Sequence, residues 1–249
     1  MGNRPVGEQQ DHGLAVRPEE IRLSIQLRPD GLSYARTEDG RLRRDDLSFD
    51  PEHFRETLAS DKWPSGDFSE VKVCVPTDRA VLVPAEADRP EKRGSFFESL
   101  GFLPEPSSRI FASPCGDETM LLVAVCEQVA APLQERYGET LSFYHPLQVS
   151  LSRPIDRPAI LRIDSAGGYG SFTLHSAGNL LLADVYPLAG EADLLLCVNR
   201  IIVSNKIGPC RIVCSGDRAD AAAALLARFS RDVAVDPDEE NRNLFFPFR

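Results

Sequence analysis

Leu23-Ser24-Ile25-Gln26-Leu27 decides the fold when it is set beside Leu161-Arg162-Ile163-Asp164-Ser165, which lies 138 positions further along the chain. The first stretch alternates apolar and polar side chains, the period of a strand with two unlike faces. The same shift carries Ser33-Tyr34 onto Ser171-Phe172, Gly40 onto Gly178, Leu42 onto Leu180 and Asp46-Leu47 onto Asp184-Val185. At a shift of 139, Val71-Lys72-Val73-Cys74-Val75-Pro76-Thr77-Asp78-Arg79 falls on Cys210-Arg211-Ile212-Val213-Cys214-Ser215-Gly216-Asp217-Arg218. Two distant blocks that keep nearly one register predict a chain of two related halves. Halves that face each other leave a cleft, and the cleft is the expected ligand site.

Working outward, residues 22–28 read as a strand, Pro29-Asp30-Gly31 as a turn and residues 32–35 as the returning strand. Glu38-Asp39-Gly40 is the next turn, and a third strand runs into Phe49. Asp50-Pro51-Glu52 has the order of a helix start, with an N-cap, a proline at the first helical position and an acid in the first turn, so a helix is expected to about Ser60. Residues 71–75 form a short, mostly apolar run suited to a buried strand. The second half repeats the order. Strands are expected at 159–163, 171–175 and 180–186, a glycine-rich turn over 164–170, a helix over 191–202, and a buried strand at 211–214. An alanine-rich helix over 220–230 and a last strand at 233–235 complete it.

The middle is less regular. A short strand is expected at 81–84, a short helix over 94–100 and a hairpin from 109–113 and 120–125. A helix over 127–137 follows, kinked or bounded by Pro132, and then an alternating strand over 147–151. The expected organisation is an N-terminal arm over 1–20, a first subdomain over 21–151, a linker over 152–158 containing Pro154 and Pro158, and a second subdomain over 159–249.

Composition narrows the function. A hydrophobic content of 42% is enough for a packed core. The net charge of −10 and the lack of a basic stripe argue against nucleic acid as a partner. Arg41-Leu42-Arg43-Arg44 is the one tight basic cluster, and two aspartates follow it at once, as at a solvated hairpin tip. The first residues carry no apolar stretch of a signal peptide, and no run approaches the length of a membrane helix. The expectation is a soluble, cytoplasmic bacterial protein with no membrane partner. The six cysteines form no CxxC pair and read as buried, reduced thiols. His53, His145 and His175 share no metal spacing, and no GxSxG or P-loop is present.

Two copies of a strand-strand-strand-helix-strand unit, each followed by further helix and strand, resemble the actin-like fold shared by actin, sugar kinases and heat-shock chaperones. Five stretches are similar to an uncharacterised Bacteroidetes family, domain of unknown function 3822: residues 22–36, residues 73–84, Ser142-Phe143-Tyr144-His145-Pro146-Leu147, Asn179 to Tyr186, and Ile212 to Asp217. The resemblance spans about residues 20–249. It implies an α/β, actin-like (ribonuclease H-like) fold, with two duplicated βββαβ-type subdomains around a cleft.

The resemblance also implies where a nucleotide site would lie. Actin-like ATPases place an acid at the end of the first strand of each half, and glycine-rich hairpins wrap the phosphates with backbone N–H groups. Asp164-Ser165-Ala166-Gly167-Gly168-Tyr169-Gly170 keeps an acid and three glycines. It reads either as an ordinary hairpin turn or as an anion cradle. The first half departs from the pattern: Gln26 stands where the acid is expected, and Pro29 removes a backbone donor. The adenosine-side glycine pair is replaced by Ser215-Gly216-Asp217, with Asp217 also readable as the N-cap of the following helix. The same missing carboxylates argue against a ribonuclease H-type nuclease.

The candidate ligand-binding residues are therefore Asp164, Gly167, Gly168, Gly170 and Gly216, with no catalytic or metal-ligating residue. The expected function is a non-catalytic binding or assembly module with a degenerate nucleotide site, its partner another protein, and a homo-oligomer compatible with the sequence. The alternative is a nucleotide- or phosphate-binding protein with slow or no hydrolysis. ATP with magnesium is the cofactor to test, and a weak ATPase is the enzyme activity to test.

Overall fold

The structure is a computed structural model and describes residues 21–28, 31–38, 41–48, 51–101 and 107–236. The N-terminal arm, the Pro29-Asp30 and Asp39-Gly40 turns, the Asp50 cap and the C-terminal residues 237–249 lie outside the described residues.

In chain order the elements are β1 (Arg22–Arg28), β2 (Gly31–Glu38), β3 (Arg41–Leu47), α1 (Phe54–Ala59), β4 (Glu70–Cys74) and β5 (Ala80–Pro84). Then come α2 (Arg93–Ser99), β6 (Ser108–Pro114), β7 (Thr119–Cys126), α3 (Glu127–Tyr137), β8 (Leu141–Tyr144) and α4 (Pro146–Leu151). The rest is β9 (Ala159–Ala166), β10 (Tyr169–Ser176), β11 (Asn179–Pro187), α5 (Glu191–Ser204), β12 (Arg211–Gly216), α6 (Ala219–Leu226) and β13 (Val233–Val235).

These strands make two five-stranded sheets of one topology, β3-β2-β1-β4-β8 and β11-β10-β9-β12-β13, and a smaller sheet β5-β7-β6. In both large sheets the first three strands are an antiparallel meander. The last two strands run parallel to the central one. Parallel neighbours need crossover connections, and the helices supply them.

The ladders correct the sequence alignment at two places. Gln26 pairs with Ser33 and Asp164 with Ser171, so the shift of 138 holds for the first two strands. Ile25 pairs with Val73 and Ile163 with Cys214, however, so the parallel strands correspond at Val73 and Cys214, not at Val75 and Cys214. A slip of two residues keeps every side chain on its face, which is why the pattern alone could not detect it. Asp46 likewise matches Val185 rather than Asp184, because a bulge between Leu174 and His175 inserts a residue into β11.

Each sheet uses one face for its own core. Leu23, Ile25, Leu27, Val71 and Val73 pack on Phe54 and Leu58 of α1 and on Val129 and Leu133 of α3. Leu161, Ile163, Phe172, Ile212 and Cys214 pack on α5 and α6 through Leu194, Val198, Ile201, Ala222 and Leu225. The opposite faces carry buried polar groups, among them Ser24, Gln26, Arg162, Asp164 and Thr173. Between these faces sits α4, whose Val149 packs on Cys74 and Tyr144 of the first sheet while the helix contacts β9 and β10 of the second.

Residues 146–151 are thus a helix, and the strand expected over 147–151 is wrong. His145 caps this helix: its Nδ1 accepts the Leu147 N–H at 3.0 Å, and Pro146 fills the first helical position. Leu147, Val149 and Leu151 alternate because the short helix is gripped from two sides. Residues 141–144 form β8, a strand the sequence reading left out. Pro132 does not bound α3, which runs through it to Tyr137. Cys74 and Cys214 are buried and the other four thiols are intermediate; none of the six is joined in a disulfide. Burial pushes the Cys214 thiol up to about 12 and the Cys115 thiol to about 11.

Candidate functional site

A cavity of about 610 Å³ opens at the carboxyl ends of β9 and β12, where the chain leaves the second sheet. Ligands in open α/β sheets bind at this end, where loops rather than ladder groups meet the solvent. One wall is the β9–β10 hairpin. Gly167 and Gly168 are its two turn residues, at φ 58° and 80°, a left-handed pair that glycine adopts without steric cost. The ladder ends at the Ala166–Tyr169 pair, so both glycine amides lie beyond its last rung. A Cβ placed on Gly168 would meet nothing within 4 Å.

The opposite wall is the loop after β12 and the start of α6. Asp217 and Arg218 line it, followed by Ala221, Ala222 and Leu225. Asp217 is exposed and caps nothing: the N-cap position of α6 belongs to Arg218, with no side-chain capping bond. The floor comes from Leu188, Gly190, Glu191 and Leu194 at the start of α5. There Asp193 Oδ2 accepts the Ala189 and Gly190 N–H groups at 2.9 and 3.1 Å, which uses up two amides of that helix end. Among the described residues, Arg28, at the end of β1, is the one lining residue from the first sheet. Its guanidinium stands 3.5 Å from Asp46, which also accepts the Ser33 hydroxyl.

Three of the five residues picked out by sequence do not line this cavity. Asp164 is fully buried, with Ser215 Oγ 2.9 Å from its Oδ2. The same hydroxyl lies 3.1 Å from Ile163 O, so its one proton is shared between two acceptors. Gly170 is a packing glycine, since a Cβ there would sit 2.6 Å from Leu188 and 2.7 Å from the Phe172 ring. Gly216, at φ 87°, lets β12 close on β9, and a Cβ would fall 2.3 Å from the Ser165 carbonyl oxygen. Gly167 and Gly168 remain as cavity residues.

Sequence reasoning missed Arg28, Arg218 and Glu191. The available signal was positional: each sits at a strand end or helix start facing the same sheet edge. Tyr169 was missed as well. It follows the glycine pair, packs against the core of the first lobe, and has its phenol pKa raised by burial and then by Asp78, with Arg79 opposing.

The residues present do not fit a magnesium ion. Gln26 is 4% exposed, its Nε2 has no hydrogen-bond partner, and an amide brings no negative charge. Asp164, its counterpart, is inside the protein and engaged with Ser215. Among the described residues, no three His, Cys, Asp or Glu side chains are grouped to hold a metal. The glycine hairpin and the two arginines do fit an anion.

Two sheets of this topology, with a cleft at the strand ends, define an actin-like fold. The chain is similar to a protein of Bacteroides thetaiotaomicron with actin-like ATPase fold and unknown function, at 14% identity and TM-score 0.74, over 91% of this chain and 93% of that one. It is also similar to the solved PilM-PilN type IV pilus biogenesis complex, at 14% identity and TM-score 0.54, over 90% of this chain and 95% of that one. No protein-family model and no curated protein matches the chain. At these identities the likeness establishes the fold.

Proposed function

We propose that this chain is a non-catalytic actin-like protein, a cytoplasmic binding or assembly module whose nucleotide site has degenerated. We read residues 21–151 and 159–249 as its two subdomains, related by duplication and joined by residues 152–158. We place it with the uncharacterised Bacteroidetes family, on the sequence stretches quoted above and the fold likeness. The observation that carries the functional reading is the fate of the two acid positions. One is Gln26, and the other, Asp164, spends its carboxylate on Ser215 inside the protein. With neither strand-end position presenting a carboxylate to the cleft, the charge that builds on a transferring phosphoryl group is left without its metal. The similarity to a protein solved in the PilM-PilN complex supports a protein as partner.

A second reading is favoured by the cavity itself. Open glycine amides beside Arg28 and Arg218 suit a phosphate ligand held without turnover. Thermal unfolding with ATP or ADP, each with and without magnesium, tests the first reading. The expected result is that magnesium adds no stabilisation to either nucleotide. Stabilisation that appears only with magnesium would overturn it.

A further inference from the structure

Among the described residues, every other charged group lining the cavity belongs to the second lobe, and Arg28 reaches it from the first. Its guanidinium stands 3.5 Å from Asp46, on the strand two places from its own. Arg218 faces the same space from the loop after β12 and is exposed. Against these two guanidiniums stand Glu191 and Asp217, so the lining is balanced in charge while its cations come from opposite lobes.

We infer that this cleft takes a phosphate ester or polyphosphate without a metal ion, with Arg28 and Arg218 supplying the positive charge that magnesium would otherwise bring. The inference rests on the second reading above and adds its electrostatic basis. A guanidinium presents paired donors that match two phosphate oxygens, whereas an amide such as Gln26 cannot balance charge. The Gly167-Gly168 turn adds backbone donors that need no ionisation. Glu191 and Asp217, which line the same cavity, disfavour a bare multivalent anion and favour a ligand that also carries hydroxyl or amino donors. A ligand held by both arginines touches both lobes, so it ties them together.

The test is equilibrium binding of ADP and of inorganic pyrophosphate to the full chain by calorimetry, in EDTA and then in magnesium. ADP is expected to bind in EDTA, more tightly than pyrophosphate, with an affinity that magnesium changes less than about twofold and that falls with added salt. Arg218→Ala, at an exposed position, is expected to weaken ADP about tenfold or more, the scale of one charged hydrogen bond. Arg28→Ala is expected to do the same, with circular dichroism and thermal unfolding confirming its fold. Absence of ADP and pyrophosphate binding, or wild-type affinity in Arg218→Ala, would overturn the inference and leave the module reading standing. Binding that requires magnesium would overturn both.

Discussion

The two sheets share a strand order but not a chemistry at their central strands. On β1 the inward polar position is Gln26, an amide whose nitrogen has no partner; on β9 it is Asp164, a carboxylate tied to Ser215. Both are buried, so neither is an exposed ligand. One strand further on, the parallel partner positions differ too. The second sheet needs Gly216 against Ser165, while continuing the register of the first sheet puts Val75, a β-branched residue, opposite Leu27. The second lobe has kept the close backbone approach that shapes a cleft wall, and the first lobe has filled the equivalent place with side chain. One topology thus ends differently in the two lobes, with the 610 Å³ cavity lined mainly by the second, and the likeness of the two sheets says nothing of equal function.

The comparison breaks most sharply at Gly216. Gly216→Val places a Cβ inside the Ser165 carbonyl at a positive φ, and the expected cost exceeds about 3 kcal/mol in chemical denaturation. Val75→Gly, at the matching position of the first sheet, should cost less, since it removes one buried side chain and adds backbone freedom. Equal losses would show that the two strand ends are equivalent after all.

A loss of similar size is expected from acid at His145. Burial lowers this imidazole to about 4, with the hydrogen bond to the Thr77 backbone opposing the shift. Its Nδ1 accepts from Leu147 and its Nε2 lies 3.0 Å from Thr77 O, so the neutral ring carries its proton on Nε2. The folded state stays neutral while the unfolded chain takes a proton below about pH 6.5. Stability is therefore full above that pH and falls as pH drops towards 4, by up to about 3 kcal/mol. Unfolding free energies measured across pH 4–7 should show this slope in the wild type and a shallower one in His145→Gln, where His175, also lowered by burial and then by Arg162, still contributes.

Asp164→Ala is expected to cost roughly 1–3 kcal/mol, because Ser215 loses one of its two acceptors inside the protein. Gln26→Ala should cost less, since the amide nitrogen it removes has no hydrogen-bond partner. The smallest effect is expected at Gly168, where alanine meets open space and pays only for its left-handed backbone, about 1 kcal/mol. Urea titrations of the three variants rank them, and the reverse order would contradict the roles given to these residues.

Much of the fold was legible because strands with one apolar face and helices with an apolar stripe write their periods into the sequence. Leu23-Ile25-Leu27 and Leu194-Val198-Ile201 are such cases. What was hidden has a common physical cause. Residues 147–151 are a helix held between two sheets, and burial on both sides erased its helical period. The correspondence of Val73 with Cys214 was out by an even number of residues, which no alternation can reveal. At the site, glycines stood out but their duties did not. Gly167 and Gly168 face the cavity, whereas Gly170 and Gly216 serve packing, and only a built backbone distinguishes the two. Arg28 and Arg218 were unreadable as a pair because they lie far apart in the chain and converge only when the lobes meet.

The central claim is that the cleft lacks the carboxylates needed to turn over a nucleotide. It is tested most directly by single-turnover hydrolysis, with protein in excess over labelled ATP and magnesium present. The account predicts no cleavage above the protein-free control. Cleavage at ordinary ATPase rates by the wild type, abolished in a folded Asp164→Asn variant, would contradict it.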